Sequence, residues 1–267
     1  MCGRYVVVSS VEVIEKRFNV TVPELPLNII PNYNLGPGMM APVITSANPN
    51  QVSFLQFGLT PVWAKKKMYL FNARAEGDGN PSDDPNYTGG KGIISKPSFK
   101  RAIRSQRCLV IADAFYEGPK GEGLSKPYLA YLRNHQRPFA FAGIWESWTN
   151  PETGAISQSF AIITTVANEL MQKIGHHRSP VILHRHDESR WLKAEHLNEI
   201  TGMLEPFPAE EMNAYPVNPA VKNPRANDKT LVEPLGERVL SETDVIVKTD
   251  IRLQGMGERK KKPGETH

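Results

Sequence analysis

Short apolar runs separated by turn-forming residues are the feature that most restricts how this chain can fold. The clearest runs are of strand length and lie at residues 109–113, 128–133, 139–145 and 160–165. Gly- and Pro-containing pieces such as 118–123 and 149–154 separate them. This pattern indicates β-strands joined by turns and favours an antiparallel or mixed sheet. Further strands are predicted at residues 5–8, 42–45, 51–59 and 212–217.

Capping and spacing patterns predict short helices around these strands. Ser9 and Glu12 form a capping-box pattern, which predicts a helix that runs to about Phe18. A helix is also predicted where Phe99, Ala102 and Ile103 share an apolar face. Basic residues flank that face, namely Lys96, Lys100, Arg101, Arg104 and Arg107. Other helices are predicted at residues 168–174, 188–194 and about 197–204.

Two segments rich in Pro, Asn and Gly are predicted to be loops. Residues 23–38 should cross the surface or line a cleft, and residues 77–92 should form a mobile insertion without chemistry. The sequence contains no linker before about residue 240, which favours one domain over residues 1–238. Residues 239–267 end in a basic run and are expected to be a partly disordered tail.

Composition excludes several classes of protein. The 40% hydrophobic content of the 267 residues is enough to bury a sizeable core. The longest apolar stretch, residues 139–145, is too short to span a bilayer, and the start lacks a secretion signal. The two cysteines, Cys2 and Cys108, make no disulfide framework and indicate a reducing compartment. Cys108 lies in an apolar run and is expected to be buried.

The net charge of +4 is modest, but the basic residues are clustered. Residues 65–67 are three consecutive lysines, and the predicted helix near Phe99 is strongly basic. Such clusters are typical of proteins that bind a polyanion. A solvated helix face explains the second cluster equally well, so charge alone leaves nucleic-acid binding open.

Cys2 can carry chemistry that no internal cysteine offers. If Met1 is removed, Cys2 has an α-amine and a thiol on adjacent carbons, and such a pair closes a thiazolidine ring on an aldehyde. The amine has a reference pKa of ~7.7–8.0 against ~10.4 for lysine, so more of it is neutral and nucleophilic near pH 7. A cysteine at this position can also be an accident of the start codon.

Polar side chains that follow apolar runs or lie in turn-rich loops are candidate site residues. Asn72 could orient a nucleophile, and Arg74 could grip a phosphate with two nitrogens. Glu117 follows a buried run, where desolvation would raise its pKa and suit it to proton transfer. His176 could transfer protons near neutrality, with Arg178 as a second phosphate ligand.

Other kinds of site are open at this point. A structural Glu117 and a loop stabilised by Asn72 are the plain alternatives to a catalytic role. A Cys2–His176 dyad would be typical of a thiol peptidase. A metal site is disfavoured because the chain has neither an HExxH motif nor paired CxxC motifs, despite His184 and His186.

Six motifs, taken in order, resemble the family of SOS response-associated peptidases (SRAP), which are understood as shields of abasic sites. The resemblance spans about residues 1–235. Its motifs are Met1-Cys2-Gly3-Arg4-Tyr5; Tyr33-Asn34 with Pro37-Gly38; Phe71-Asn72-Ala73-Arg74-Ala75-Glu76; Phe115-Tyr116-Glu117; His176-His177-Arg178-Ser179-Pro180; and Pro216-Val217-Asn218 with Val221.

The resemblance implies a single α+β domain with a barrel-like mixed β core, flanking short helices and a positive groove for single-stranded DNA. It implies that Cys2 forms a thiazolidine crosslink with the ring-opened sugar of an abasic site. Asn72 would orient the cysteine, Glu117 would deprotonate the amine, and His176 would assist ring opening and proton transfer. The implied DNA contacts are Arg4, Asn34, Trp63, Arg74 and Arg178, with Trp63 stacking on bases beside the lesion.

The implied partner is single-stranded DNA containing abasic sites, at stalled replication forks. No metal or cofactor is implied, and we expect a monomer that is cytoplasmic in a bacterium or nuclear in a eukaryote. A thiol peptidase and a non-covalent single-strand binder are the alternative functions. Gly118 departs from the family, which commonly has Trp there, so the packing behind Glu117 is expected to differ.

Overall fold

The structure is a computed structural model that describes residues 3–23 and 29–242. Its strands are β1 (Arg4–Val7), β2 (Asn32–Leu35), β3 (Met40–Thr45), β4 (Asn48–Phe57), β5 (Asn72–Arg74), β6 (Arg107–Ala112), β7 (Ala114–Glu117), β8 (Tyr128–Leu132), β9 (Phe139–Thr149), β10 (Ile156–Val166), β11 (Arg178–Pro180), β12 (Ile182–Leu183) and β13 (Met212–Pro216). Its α-helices are α1 (Val11–Phe18), α2 (Ala102–Ser105), α3 (Glu169–Lys173), α4 (Glu188–Lys193) and α5 (Leu197–Gly202). Single-turn 3₁₀ helices lie at Gly92–Ser95, Gly123–Ser125, Ala209–Glu211, Pro219–Lys222 and Lys229–Val232.

Five strands close into a barrel. β3 pairs with β4 and β6, β6 pairs with β9, and β9 pairs with β10, all antiparallel. The ring closes through a parallel pairing of β10 with β4, so the barrel is mixed. Alternate residues of a strand face opposite sides, so Val110 and Phe141 lie in one buried cluster while Leu109 and Ile111 lie in another. The predicted α+β class with a barrel-like mixed core is confirmed.

A second, antiparallel sheet in the order β13-β8-β7-β1-β2 packs against the barrel. Tyr5 of β1 and Phe115 of β7 share a core cluster with barrel residues. The Tyr5 ring lies edge-on to Phe57 at 5.6 Å, and the Phe115 ring lies edge-on to Phe141 at 5.7 Å between ring centroids. These aromatic contacts fix the second sheet, and therefore the start of the chain, against the barrel.

The predicted strands of the core are confirmed, but several local predictions are wrong. Helix α1 is capped by Ser10, whereas the backbone nitrogen of Ser9 donates to Asp113 Oδ2 at 2.8 Å. Because Ser9 is bound to the buried Asp113 carboxylate, the N-cap of α1 is the next residue, Ser10. Residues 32–35, predicted as loop, form β2 because they pair with β1.

The predicted basic helix is shorter than expected, and Arg107, one of the basic residues assigned to it, lies outside the helix. Only Ala102–Ser105 is α-helical. Arg107 begins β6 and is buried, and its guanidinium donates to backbone carbonyls of Ile103, Arg104, Trp191 and Ala194. Arg107 therefore satisfies helix ends and does not contribute to a basic surface.

Cys108 is buried in β6 as predicted, and burial raises the pKa of its thiol. Within residues 3–23 and 29–242, no helix has the length and apolar character needed to cross a membrane. The chain still packs four residues beyond the predicted boundary at 238, since Glu242 Oε1 accepts from Tyr131 and Asn213. The rest of the predicted tail, residues 243–267, lies outside the described residues, as do Met1 and Cys2.

Candidate active site

Strand pairing brings Glu117 beside the start of the chain. β1 and β7 are antiparallel, with Tyr5 opposite Phe115 and Arg4 opposite Tyr116. Continuing this register by one residue puts Gly3 opposite Glu117. Glu117 is the last residue of β7 and its side chain is buried. A carboxyl group therefore lies where the first residues of the chain enter the fold.

Glu117 and His176 form a buried pair. His176 Nε2 lies 3.2 Å from Glu117 Oε2, and the two side chains are only 4% and 5% exposed. His176 Nδ1 lies 2.7 Å from the carbonyl oxygen of Gly118. Because a carbonyl oxygen can only accept, Nδ1 carries a proton and donates it. In the neutral imidazole, Nε2 is then the nitrogen that can accept a proton from Glu117.

Burial shifts both members of the pair toward their neutral forms. It raises the pKa of Glu117 to about 7 and lowers the pKa of His176 to about 3. Near neutral pH the imidazole is therefore uncharged, while Glu117 exchanges its proton. A carboxyl group that titrates near the working pH is suited to general acid–base catalysis.

Glycines hold the backbone that orients His176. A Cβ at Gly118 would lie 2.0 Å from the carbonyl oxygen of Gly123, so no side chain fits there. We expected the packing behind Glu117 to differ from that of the family. Here the backbone of the 118–126 loop fills that space. Gly175 has a φ of +76° and its carbonyl oxygen accepts from the backbone nitrogen of Lys120 at 2.8 Å. These contacts join the loop after β7 to the segment that carries His176.

β10 positions the predicted phosphate ligands. It pairs with β5 on one side, where Thr164 is opposite Arg74, and with β11 on the other, where Val166 is opposite Arg178. Asn72 and Arg74 lie on one face of β5 because residues two apart in a strand face the same side. The residue between them, Ala73, is buried in the core.

Arg178 is buried, and one end of its guanidinium is fixed. Its Nη2 donates to Glu76 Oε2 at 2.8 Å and to Thr164 Oγ1 at 3.1 Å. Glu76 is itself buried, so the two charges form an ion pair inside the protein. This pair holds Arg178 in one orientation, with Nε and Nη1 left to face elsewhere.

The segment at 77–92 contributes to this region, contrary to our prediction of a mobile insertion without chemistry. The Asp83 carboxylate lies 3.0 Å from Arg74 Nη2 and 3.6 Å from Arg178 Nη1. It also lies 3.6 Å from Lys120 Nζ and 3.8 Å from His177 Nε2. The rings of His176 and His177, whose centroids lie 4.8 Å apart with a tilt of 46° between the planes, connect this cluster to the Glu117–His176 pair.

Asn80 fixes the turn that carries Asp83. Asn80 is buried, its Nδ2 donates to the carbonyl oxygen of Asp84 at 2.9 Å, and its Oδ1 accepts from the Asp84 backbone nitrogen at 2.9 Å. Arg74 also donates to the carbonyl oxygen of Asn80. The turn is thus attached to β5 through the same arginine that contacts Asp83.

Trp63 lies on an exposed loop just before β5. Its side chain is 55% exposed, and its Nε1 donates to the carbonyl oxygen of Pro97 at 3.2 Å. Tyr69 on the same loop is also exposed, and Lys67 lies over its ring. An exposed aromatic beside lysines is compatible with base stacking, and that role stays a prediction.

Arg4 and Asn34 have mainly structural contacts. Arg4 packs against Gly36, and its Nη1 donates to the carbonyl oxygen of Asn34 at 3.5 Å. Asn34 is 1% exposed, and its Nδ2 donates to the carbonyls of Val221, Asn223 and Ala226. The structure therefore uses the Asn34 amide to hold the 219–226 loop, and its predicted DNA contact stays untested.

Sequence reasoning gave no role to four residues of this region, namely Glu76, Asp83, Lys120 and His177. Glu76 and His177 could have been found from the sequence, since they lie in the motifs that contain Arg74 and His176. Asp83 and Lys120 come from turn-rich loops whose paths no periodic pattern encodes. In the described residues, no group of three or more His, Cys, Asp or Glu side chains is placed to hold a metal ion.

Residues 1–224 match the family model described as SOS response associated peptidase (SRAP). The chain belongs to the SRAP family. Among relatives of this SRAP protein, Abasic site processing protein YoqW of Bacillus subtilis (strain 168) is 33% identical over 241 residues, covering 87% of this chain and 99% of that protein. Abasic site processing protein HMCES of Pongo abelii is 25% identical over 283 residues, covering 92% and 75%.

The SRAP fold is also found in solved structures. A crystal structure of a protein from Bacteroides thetaiotaomicron aligns with a TM-score of 0.73 at 27% identity, covering 86% of this chain and 98% of that chain. The family model, which matches residues 1–224, confirms the family resemblance seen in the sequence.

Proposed function

We propose that this protein processes abasic sites in single-stranded DNA by forming a covalent link through Cys2 after Met1 is removed. Its relatives YoqW and HMCES are both named as abasic site processing proteins. The observation that carries the proposal is the buried Glu117–His176 pair at 3.2 Å, opposite Gly3 in the strand register. A proton-transfer pair thus lies next to the residue that follows Cys2.

The proposed reaction balances with the loss of one water. The α-amine of Cys2 adds to the aldehyde carbon of the ring-opened sugar, and loss of water gives an imine. The thiol then adds to the same carbon, and its proton passes to the nitrogen as the thiazolidine closes. The aldehyde supplies the electrophile, so we expect this chemistry to need no metal or cofactor.

The site residues have distinct proposed roles. Ionised Glu117 accepts a proton from the ammonium of Cys2, which makes the amine nucleophilic. His176 Nε2 exchanges protons with Glu117 during ring opening and imine formation. Asn72 orients Cys2 from β5. These roles require proton transfer near pH 7, which the raised pKa of Glu117 supplies.

DNA binding is assigned to the surrounding residues. Arg74 and Arg178 bind phosphate, and Trp63 stacks on bases beside the lesion, where stacking is worth ~1–3 kcal/mol per base. Arg4 and Asn34 support the same groove. We propose that the DNA encountered is single-stranded, as at stalled replication forks, and that the protein acts as a monomer.

The test is a denaturing gel of purified protein incubated with an abasic oligonucleotide. Wild type should give a heat-stable, slowly migrating adduct, and Cys2→Ala should give none while still binding undamaged strands. Cys108→Ala is the matched control, because it removes the other thiol and should leave the adduct unchanged.

Three outcomes would contradict the proposal. A stable adduct from Cys2→Ala would exclude the thiazolidine. Cys2-dependent peptide cleavage without an adduct would favour a thiol peptidase. Equal binding of abasic and intact strands with no covalent product would favour a plain single-strand binder, whose affinity would depend strongly on salt.

A further inference from the structure

Four side chains with nitrogen atoms surround the Asp83 carboxylate. We call Arg74, Lys120, His177 and Arg178 the anion pocket; their nitrogens lie 3.0–3.8 Å from the Asp83 carboxylate. Arg74 lies in β5, Lys120 in the loop after β7, His177 directly before β11 and Arg178 at its start, so the fold brings them together from three parts of the chain. Burial lowers the pKa of His177, which favours the neutral imidazole. His177 can therefore offer a hydrogen bond to an anion without adding a positive charge to the pocket.

The pocket has more hydrogen-bond donors than Asp83 satisfies. Within the described residues, Arg178 Nε and Nη1, Arg74 Nε and His177 Nδ1 are buried without a hydrogen-bond partner. Asp83 Oδ1 also accepts no directed hydrogen bond, although Arg74 Nη2 is within 3.0 Å. Buried polar groups are normally paired. The unpaired atoms therefore indicate that these donors bind a ligand other than the Asp83 carboxylate.

The chemistry of the donors indicates phosphate. A phosphodiester presents two charged oxygens in a tetrahedral arrangement, and guanidinium groups bind such oxygens through paired nitrogens. Arg178 is suited to this because Glu76 and Thr164 already fix its Nη2. A planar carboxylate held by a short turn reaches only part of this set of donors.

Building on the phosphate role already proposed for Arg74 and Arg178, we propose that Asp83 is a built-in competitor in the anion pocket, which a phosphate of the bound DNA displaces. The identity of that phosphate as DNA rests on the proposed function, whereas binding of free phosphate does not. With Asp83 in place, three cationic side chains face two carboxylates, those of Glu76 and Asp83. Without it they face one, so the pocket becomes more attractive to anions.

The position of Asp83 on its turn is compatible with displacement. Asp83 has a φ of +58°, the left-handed region, and residues 81, 82, 84, 86 and 88–90 around it are exposed. Moving this turn would therefore uncover little apolar surface. Arg178 would stay in place, since its partner Glu76 belongs to the buried part of the site.

The first test uses inorganic phosphate and thermal unfolding at constant ionic strength, with chloride as the balancing salt. The thermal midpoint of Asp83→Asn should rise by several degrees as phosphate replaces chloride, because an anion that binds only the folded state stabilises it. Wild type should respond little. Asp78→Asn is the matched control: it removes the same charge from the same segment, but Asp78 pairs with Lys96, outside the pocket.

This readout is a response within each variant, so a lower starting stability of Asp83→Asn does not obscure it. Asp83→Ala should respond in the same way. If neither Asp83 variant responds to phosphate more than wild type and Asp78→Asn do, Asp83 does not compete with phosphate for the anion pocket.

The second test measures non-covalent binding of undamaged single-stranded DNA across a salt series. Asp83→Asn should bind about tenfold more tightly than wild type at low salt, a typical size for the coupling between two competing ligands. Its log K against log salt should keep the wild-type slope, since the same phosphate is contacted and releases the same counterions in both proteins. An unchanged affinity would contradict the competitor role.

The two proposals fail separately. A phosphate response without an abasic crosslink would overturn the proposed function alone. A Cys2-dependent crosslink with no phosphate response in the Asp83 variants would overturn the inference about Asp83 alone.

Discussion

At the residue scale, the environment of Glu117 favours its neutral form, and this preference suits the Glu117–His176 pair to proton transfer. Burial is the largest cause of the raised pKa, which lies at about 7. His176 is held neutral by the same burial and oriented by the Gly118 carbonyl. Charging either group therefore lowers the free energy of unfolding, and this decrease can be measured.

Glu117→Gln should stabilise the protein at high pH. A carboxyl group whose folded pKa is raised contributes stability below its unfolded pKa, and that contribution is lost as pH rises through about 7. Relative to wild type, the variant should unfold similarly at pH 4 and be more stable at pH 8 by about 1–3 kcal/mol, at 1.36 kcal/mol per pKa unit. Denaturant unfolding at both pH values checks this, and a constant difference would contradict it.

The rate of crosslinking should rise with pH through about 7, because protonated Glu117 cannot accept a proton from the Cys2 amine. Glu117→Gln should slow the reaction by about 10²–10⁴-fold, the usual contribution of a general base. The variant should keep only the weaker pH dependence of the amine itself, with its pKa of ~7.7–8.0. Single-turnover rates from pH 5.5 to 8.5 would test this; a variant with the wild-type profile would exclude Glu117 as the base.

At the scale of elements, β10 and the loop after β7 do most to assemble the site. β10 holds β5 and β11 on its two sides, and the loop at 118–126 supports His176 through the Gly118 carbonyl. The loop is packed so tightly at Gly118 that even a methyl group would collide with backbone.

Gly118→Ala should therefore weaken both stability and crosslinking. The added Cβ would lie 2.0 Å from the carbonyl oxygen of Gly123, and relieving such overpacking costs about 1–3 kcal/mol. The shift should also displace the acceptor of His176 Nδ1 and slow the reaction. Gly202→Ala is the control, since a Cβ there meets nothing within 4 Å. Equal stability and rates in the two variants would show that the loop does not position His176.

Sequence patterns predicted the long strands of the core and missed the three-residue strands β5 and β11 for a physical reason. β6, β9 and β10 contain continuous apolar runs because both faces are buried, so their position was readable. β5 and β11 have three residues each and exist because β10 offers them hydrogen bonds. The family motifs identified Asn72, Arg74 and Arg178 on these strands, but not how they meet.

The loop residues of the site were beyond sequence reasoning. Asp83 reaches Arg74 and Arg178 only because of the turn that Asn80 fixes, and no periodicity encodes that turn. The same holds for Gly118, whose missing side chain was noted as a departure from the family. A side chain is excluded at Gly118 by the packing of the backbone around it in the folded protein.

At the scale of the whole molecule, the packing of two sheets brings Gly3 and Glu117 to the region of the proposed phosphate ligands. β1 places Gly3 opposite Glu117, while β5 and β11 project arginines from the barrel. The arginines differ in how deeply they are embedded. Arg178 is 1% exposed and paired with Glu76, whereas the Arg74 side chain is 32% exposed.

This difference decides which arginine can test DNA binding. Arg178→Ala would leave Glu76 buried without its partner and should cost about 3–5 kcal/mol of stability. Arg74→Gln should fold like wild type, bind undamaged single-stranded DNA more weakly, and flatten the salt dependence by about 0.7 in log K against log salt. Binding titrations at several salt concentrations check this, and an unchanged slope would exclude a phosphate contact by Arg74.

The most direct test of the central claim is the intact mass of the protein under denaturing conditions, before and after incubation with abasic single-stranded DNA. Before incubation, we expect the mass of the chain without Met1. Afterwards, we expect a species equal to that mass plus the DNA less one water, absent in Cys2→Ala and present in Cys108→Ala. A chain that keeps Met1 and forms no adduct, or an adduct that survives the loss of Cys2, would contradict the thiazolidine mechanism.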